Sequence, residues 1–282
     1  DNNNVKTVAT QERFNTAYYT SFANAVLNTY YTGSEHITKI IKESKYYDIK
    51  NIIPVGQYRS DYILYYKNQP IPNEISKAKE NGKKILIVFA FHSTKDWFDS
   101  YTDPLSSWSA QIDFLEDMIK LSQSLRNTFI VLRYKTLDWI ENKHFKKIFD
   151  KMNLCENIIL CNNYEESHYS YKLCAHADLV IAKVTSIADE CLSLKIPVLF
   201  HEYTHNMEKI VLDIPNYVPQ ELICNNFEDL YQKSKSILFL NPSKLEGKVE
   251  ELSKKIYYVN KKQNIKKKII DDLENQLTEN KF

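Results

Sequence analysis

The chain has 282 residues, room for one or two ordinary cores. Its 37 basic and 36 acidic residues leave a net charge of +1, too little to draw it to nucleic acid, and 43% hydrophobic against 26% charged residues is a globular composition. The five cysteines form no CxxC pair and the four glycines no GxGxxG or Walker A loop, which excludes a zinc framework and the dinucleotide and P-loop fingerprints.

Strand and helix signals alternate along the chain and predict an α/β protein. Val5–Thr10 reads as a short strand, followed at once by Glu12 and Arg13. Ala23–Tyr31 leads through Gly33-Ser34-Glu35 into a helix over His36–Ser44, with Ser34 as N-cap. Ile49–Val55 is a strand ended by Gly56, and a polar turn, Gln57–Asp61, follows. Pro70-Ile71-Pro72 marks a linker leading to the charged segment Lys77–Lys84.

The second half opens on an apolar strand, Lys84–Phe91, then a polar, aromatic loop, His92–Pro104, and an amphipathic helix over about Ser106–Leu125. Strand Thr128–Arg133, helix Asn142–Met152, strand Asn157–Cys161 and helix Glu166–His176 come next. Asp178–Val184 is a buried strand, Thr185-Ser186 a turn, Ile187–Lys195 a short helix and Val198–Phe200 a second buried strand. A short strand near Tyr217–Ile223, a helix over Phe227–Phe239 and a long helical tail, Ser243–Leu277, complete the chain.

The predicted organisation is a partial N-terminal portion over 1–66, a linker over 67–82, a complete doubly wound, Rossmann-like parallel sheet over 83–240, and a helical tail over 241–282. The N-terminal portion holds about two strands and a helix, too little for a domain of the same kind. It reads as a truncated or reduced domain, or the chain as the C-terminal module of a larger protein. No apolar run approaches the ~18–20 residues of a membrane span and no signal peptide is visible. With scattered, unpaired cysteines, this points to a reducing cytosol. The lysine run Lys261–Lys268 reads as a solvated helix face, or alternatively as a peripheral contact with an anionic membrane.

Candidate site residues gather where strands end. Thr185 and Ser186 start a helix whose free N–H groups and positive dipole end suit a phosphate; plain N-capping is the alternative. In an open α/β sheet, ligands collect beyond the carboxyl ends of strands. Arg133 and Lys135 follow one such strand, where a forked guanidinium and a point charge suit a diphosphate. His92 leaves another at the same edge, with an imidazole able to polarise a leaving phosphate. Glu202, after Val198–Phe200, is a candidate contact for base or sugar. A metal site from His201, Glu202 and His205 is the weaker reading. Glu12 is placed to face a cleft from the N-terminal side, as a base toward an acceptor.

The order Ala177-Asp178, strand, Thr185-Ser186, Asp189-Glu190, Lys195-Ile196-Pro197-Val198 resembles the donor-binding half of two-domain GT-B glycosyltransferases. It is most similar to the bacterial surface-carbohydrate group that includes capsule and Kdo transferases and CDP-glycerol glycerophosphotransferases. It departs from them at Lys195, where glycine is usual, and at Cys191, where alanine is usual. Tyr31-Thr32-Gly33-Ser34-Glu35, a helix, and Val55-Gly56-Gln57-Tyr58-Arg59-Ser60-Asp61 are similar to the end of the N-terminal GT-B domain, an outline shared with UDP-GlcNAc 2-epimerases. The resemblance implies a nucleotide sugar (CMP-, CDP- or UDP-linked) as substrate, a glycan or lipid-linked glycan acceptor, and neither cofactor nor catalytic metal. It also implies that Thr185 and Ser186 meet the donor phosphate and Glu190 the ribose hydroxyls. Glu190 also reads as a solvent-facing acid favoured by the helix dipole. Arg59 and Asp61 are expected to shape the turn between the two halves. An epimerase-like isomerase and a non-catalytic nucleotide- or glycan-binding half are the competing functions.

Overall fold

The computed structural model describes residues 6–12, 24–44, 47–90, 108–134, 137–163, 166–183, 185–202, 218–240, 244–258 and 264–278. Two parallel sheets organise the chain. In the smaller one, β1 (Val8–Thr10), β2 (Val26–Thr32) and β3 (Asp48–Pro54) lie in the order β1-β2-β3. Helix α1 (Glu35–Ser44) connects β2 to β3 and buries Ile37 and Ile41. The Ser34 hydroxyl accepts the Ile37 N–H at 3.2 Å, the cap expected from the sequence. Gly56 follows β3 at φ 104°, a conformation that suits glycine alone, and turns the chain off the sheet to present Gln57, Tyr58 and Arg59.

Two short helices lie where the sequence showed a turn and a linker. The polar turn runs on into α2 (Ser60–Tyr66), and α3 (Asn73–Glu80) runs from the linker into the charged segment. Neither is long enough to display a periodic stripe. Each is held by tertiary burial, Ile63 in α2 and Ile75 in α3, rather than by intrinsic helicity.

The larger sheet holds β4 (Lys84–Phe89), β5 (Thr128–Arg133), β6 (Ile158–Cys161), β7 (Leu179–Ala182), β8 (Val198–His201) and β9 (Ile223–Cys224). All are parallel, in the order β6-β5-β4-β7-β8-β9. The chain winds outward from β4 to β6, then returns to the other side of β4, which is the doubly wound Rossmann order. Helices α4 (Trp108–Ser124), α5 (Lys146–Asn153), α6 (Tyr169–Cys174), α7 (Ser186–Ser193) and α8 (Phe227–Phe239) connect and cover the strands. Ile85, Leu86, Ile87 and Val88 are fully buried, as are Leu179, Val180, Ile181 and Ala182. Covering on both faces explains why these strands read as unbroken apolar runs rather than as alternation. Arg133, Phe89, Ala182 and Phe200 stand in one row across four strands, so their carboxyl ends finish level. The order reverses between β4 and β7, and a crevice belongs beyond that point.

Lys195 sits at φ 63°, left-handed backbone that strains a side chain. This is the position where the resembling families carry glycine. Its ammonium pairs with Glu250 at 3.1 Å.

The tail is two helices, α9 (Lys244–Lys255) and α10 (Ile265–Thr278), not one. Near the end of α9, Ser253 donates to the Ser193 carbonyl at 3.1 Å, tying it to the larger sheet's α7. Helix α10 returns to the smaller sheet. Ile265, Tyr31 and Val55 form a second core there, joined by Ile269 and Leu273, and the Tyr31 hydroxyl donates to Asp272 at 2.6 Å. The lysine run is therefore not uniformly solvated. The Lys268 ammonium donates to the Pro54 carbonyl at 2.9 Å, and that of Lys266 lies 3.9 Å from the centre of the Tyr62 ring. Lys261 and Lys262 lie outside the described residues. Among those described, no helix is long and apolar enough to cross a membrane.

Ile265→Ala is expected to cost about 2–4 kcal/mol in urea unfolding and to make α10 the first site of limited proteolysis. An unchanged unfolding midpoint and cleavage pattern would show α10 to be dispensable to the smaller sheet.

Candidate functional site

The chain leaves β7 through Lys183 and enters α7 at Thr185-Ser186, beside the reversal of strand order. Thr185 holds the N-cap position in extended backbone, at φ −161° and ψ 138°, but its side chain makes no cap hydrogen bond. Plain capping, the alternative raised by the sequence, is thus not what occupies the Thr185 hydroxyl. Thr185 and Ser186 are both half-buried.

One turn further along α7, Glu190 is buried, with 1% of its surface exposed. This replaces the picture of a solvent-facing acid. The reason is tertiary: the smaller sheet's Gly56 turn lies against this part of α7. Gln57 donates its side-chain N–H to the Asp189 carbonyl at 3.1 Å, and Tyr257 donates its hydroxyl to the Asp189 carboxylate at 2.6 Å. Glu190 Oε2 has no hydrogen-bond partner. Burial holds the Glu190 carboxyl up at about 8, against the opposing pull of Arg59 and Tyr171.

Glu190 lines a recess together with Gln11, Glu12, Gly33, Gln57, Tyr58 and Arg59. Glu12, which follows β1, and Glu190 are thereby brought to one place from the two sheets. Arg59 bridges toward both. Its guanidinium donates to Glu12 at 2.9 Å and to the Tyr58 hydroxyl at 3.2 Å, and its charge favours the ionised forms of both Glu190 and Tyr171. The recess has about 10 Å³ of room, enough for one water. The Glu12–Arg59 bridge at its rim has side chains 60% and 28% exposed.

Other candidates are placed apart from this recess. Arg133 ends β5 and is buried. Its guanidinium lies 3.3 Å from the Ser170 hydroxyl and 3.5 Å from the Cys161 carbonyl, with the Tyr169 ring beneath it at 5.9 Å. It is thus engaged by β6 and α6 on one face of the sheet. Glu202 follows β8, nearly buried, with its backbone N–H donating to the Cys224 carbonyl at 2.9 Å. His92 and Lys135 lie outside the described residues, as do Arg13 and His205. His201 turns to the opposite face and meets Asp117 of α4 at 3.2 Å, where burial lowers its imidazole to about 4. A neutral, core-facing His201 does not join a rim metal site. Among the described residues, no group of three metal-ligating side chains comes together.

Sequence reasoning missed the part played by four residues. Tyr171 lies on α6 with no local signal. Gln57 was read only as the start of a polar turn and Arg59 as shaping it, though Gln57 reaches α7 and Arg59 reaches Glu12. Lys183 is buried at the strand reversal, donating to the Ala110 carbonyl at 3.4 Å over the Phe114 ring. Only its place at the end of an apolar strand marks it in the sequence.

No protein-family model matches the chain, and no curated protein matches it by sequence. Solved structures do match its fold. The wall teichoic acid polymerase TagF, as the H444N variant with CDPG, is 16% identical at a TM-score of 0.56, over 89% of this chain and 57% of that one. The H444N variant of TagF alone is 17% identical at 0.58, over 89% and 60%. The Staphylococcus aureus MnaA–UDP structure is 13% identical at 0.56, over 89% and 60%. These likenesses fit a GT-B arrangement of Rossmann-like sheets, and the chain spans less than two thirds of the length of these proteins.

Glu190 and His201 should tilt stability with pH in opposite directions. Glu190, raised from 4.5 to about 8, binds its proton more tightly folded than unfolded; its stabilisation is complete below 4.5 and lost as pH rises through 8. His201, lowered from 6.5 to about 4, is fully stabilising above 6.5 and loses this as pH falls through 4. Glu190→Gln should therefore exceed the parent in urea stability at pH 8.5 by on the order of a few kcal/mol, with the gain vanishing toward pH 4.5. A gain equal at every pH would refute the assignment.

Proposed function

We propose that this chain carries the donor-binding half of a glycosyltransferase that uses a nucleotide-activated sugar in bacterial surface-polymer synthesis. The observation that carries this reading is the placement of Thr185-Ser186 beside the strand reversal, with the unpartnered Glu190 Oε2 one helical turn away. Amides at the start of α7 and the two hydroxyls take the donor phosphate. Glu190 takes the ribose hydroxyls, as a carboxylate is a strong acceptor. Support also comes from the fold likeness to TagF, whose structure was determined with CDPG, and to MnaA, determined with UDP.

In this reading the leaving nucleotide develops negative charge on its phosphate, the largest electrostatic demand of the transfer. The α7 amides meet that charge together with Arg133 and Lys135, and His92 polarises or protonates the leaving oxygen. Glu202 contacts the base or sugar. The acceptor, a glycan or lipid-linked glycan, attacks from the side of the smaller sheet. Glu12 lies there and removes the acceptor proton once its bridge to Arg59 parts. No cofactor enters this scheme. A cytoplasmic enzyme acting on lipid-linked acceptors would meet the membrane only peripherally.

The likeness to MnaA keeps an epimerase-like isomerase as the second reading. Thermal shift with CMP, CDP and UDP tests the common element: a raised melting temperature with at least one, abolished by Thr185→Ala/Ser186→Ala in a folded variant, is the expected result. Stabilisation by none of the three removes both enzyme readings. Release of UDP from UDP-GlcNAc without any acceptor would favour the isomerase.

A further inference from the structure

We propose that the groove between α5 and the outer edge of β6 is the contact through which two copies of this chain pair about a two-fold axis. The proposal stands apart from the donor-site reading, since the groove shares no residue with the Glu190 recess. The groove encloses about 600 Å³. Its apolar lining comes from Ile140 ahead of α5, Phe149 and Met152 on α5, and Leu160 on β6. As the edge strand of the larger sheet, β6 has no strand beyond it among the described residues. Such an edge, with apolar side chains beside it, is a surface that proteins ordinarily cover. Just past α5, Leu154 is 84% exposed, the most exposed large apolar side chain among the described residues. A groove and a projecting apolar group on one surface meet the requirement of a self-complementary contact. Each copy supplies the knob that fills the groove of the other.

The charges at the rim select the occupant and its orientation. Lys146 and Asp150 both line the groove and are exposed, one helical turn apart on the same face of α5. A cation ahead of an acid is the weaker order for pairing along a helix, and a lysine in the first turn opposes the helix dipole. The stability of α5 itself therefore explains neither placement. A two-fold axis passing α5 at the level of Ile148 accounts for both. The antiparallel α5 of the second copy then brings its Asp150 to Lys146 and its Lys146 to Asp150, two ion pairs from one axis. The same axis carries Leu154 of the second copy toward the Asn142 end of the groove, beside Ile140. A rim built for an anionic ligand would carry cations alone. This rim sets Lys143 and Lys146 against Glu141 and Asp150, so its charges complement those of an inverted copy of itself.

Sedimentation equilibrium of the full chain from about 1 to about 100 μM tests this. The parent should pass from monomer to dimer with rising concentration. Lys146→Asp sets acid opposite acid on both sides of the axis, and Asp150→Lys sets cation opposite cation. Each alone should weaken association by about tenfold or more. Mixed in equal amounts, these two variants should pair with each other as tightly as the parent does with itself, because every cation again meets an acid. Leu154→Ala should also weaken association by about tenfold. All three side chains are exposed, so the urea midpoint of each variant should match the parent, which separates lost pairing from a folding defect. A parent that stays monomeric at every concentration would overturn the proposal and leave the groove to another occupant. Charge variants that dimerise as well as the parent would overturn it too, as would a mixture that associates no better than its components.

Discussion

A parallel sheet exposes two apolar faces, and both must be covered. The larger sheet meets this need locally, because each crossover between parallel strands supplies a helix of its own. The three-stranded sheet cannot do so among the described residues, where only α1 crosses within it. Its second cover comes from the other end of the chain, as α10 lays Ile265, Ile269 and Leu273 over Tyr31 and Val55. Position 31 and position 265 are thus bound together by burial, and the two ends of the chain close on each other.

That closure determines where the candidate site residues meet. The Gly56 turn leaves the smaller sheet beside the core that α10 completes, and Asp61 takes an N–H from the first turn of α10. With this segment held, Gln57 reaches the Asp189 carbonyl and Arg59 reaches Glu12. Glu190 is consequently shut into the contact between the sheets, which is why its carboxyl is raised. An acid on the second turn of an eight-residue helix would ordinarily be solvated and unremarkable. Here its environment is made by four other segments: the end of β1, the Gly56 turn, α6 and the residue just past α9.

Much of the larger sheet was legible in the sequence. Thr128–Arg133 and Phe227–Phe239 coincide with the elements read from pattern alone, and the remaining strands differ mainly at their ends. Long apolar runs bounded by polar turns leave few alternatives. Helices α2 and α3 were missed because helices of seven and eight residues carry too little periodicity to stand out. The break between α9 and α10 was missed because both halves carry helix-forming residues. What separates them is that they serve different sheets. The strain at Lys195 shows the converse. A local requirement for left-handed backbone persists there although the residue best suited to it is absent.

The site divides along the same line. Strand, Thr185-Ser186, acidic helix, strand is a local order, so it was visible in sequence and survives as geometry. The burial of Glu190 and the bridge from Arg59 to Glu12 join residues up to 178 positions apart in sequence. No window of sequence contains them. The sequence by itself determined the α/β class and which strand end would open directly into a helix, because hydrophobic period and end-group chemistry act over a few residues. The tertiary structure alone decided that Glu190 is buried, that His201 turns into the core and that α10 covers the smaller sheet. Those outcomes depend on which apolar faces are left to be covered once every local element has formed.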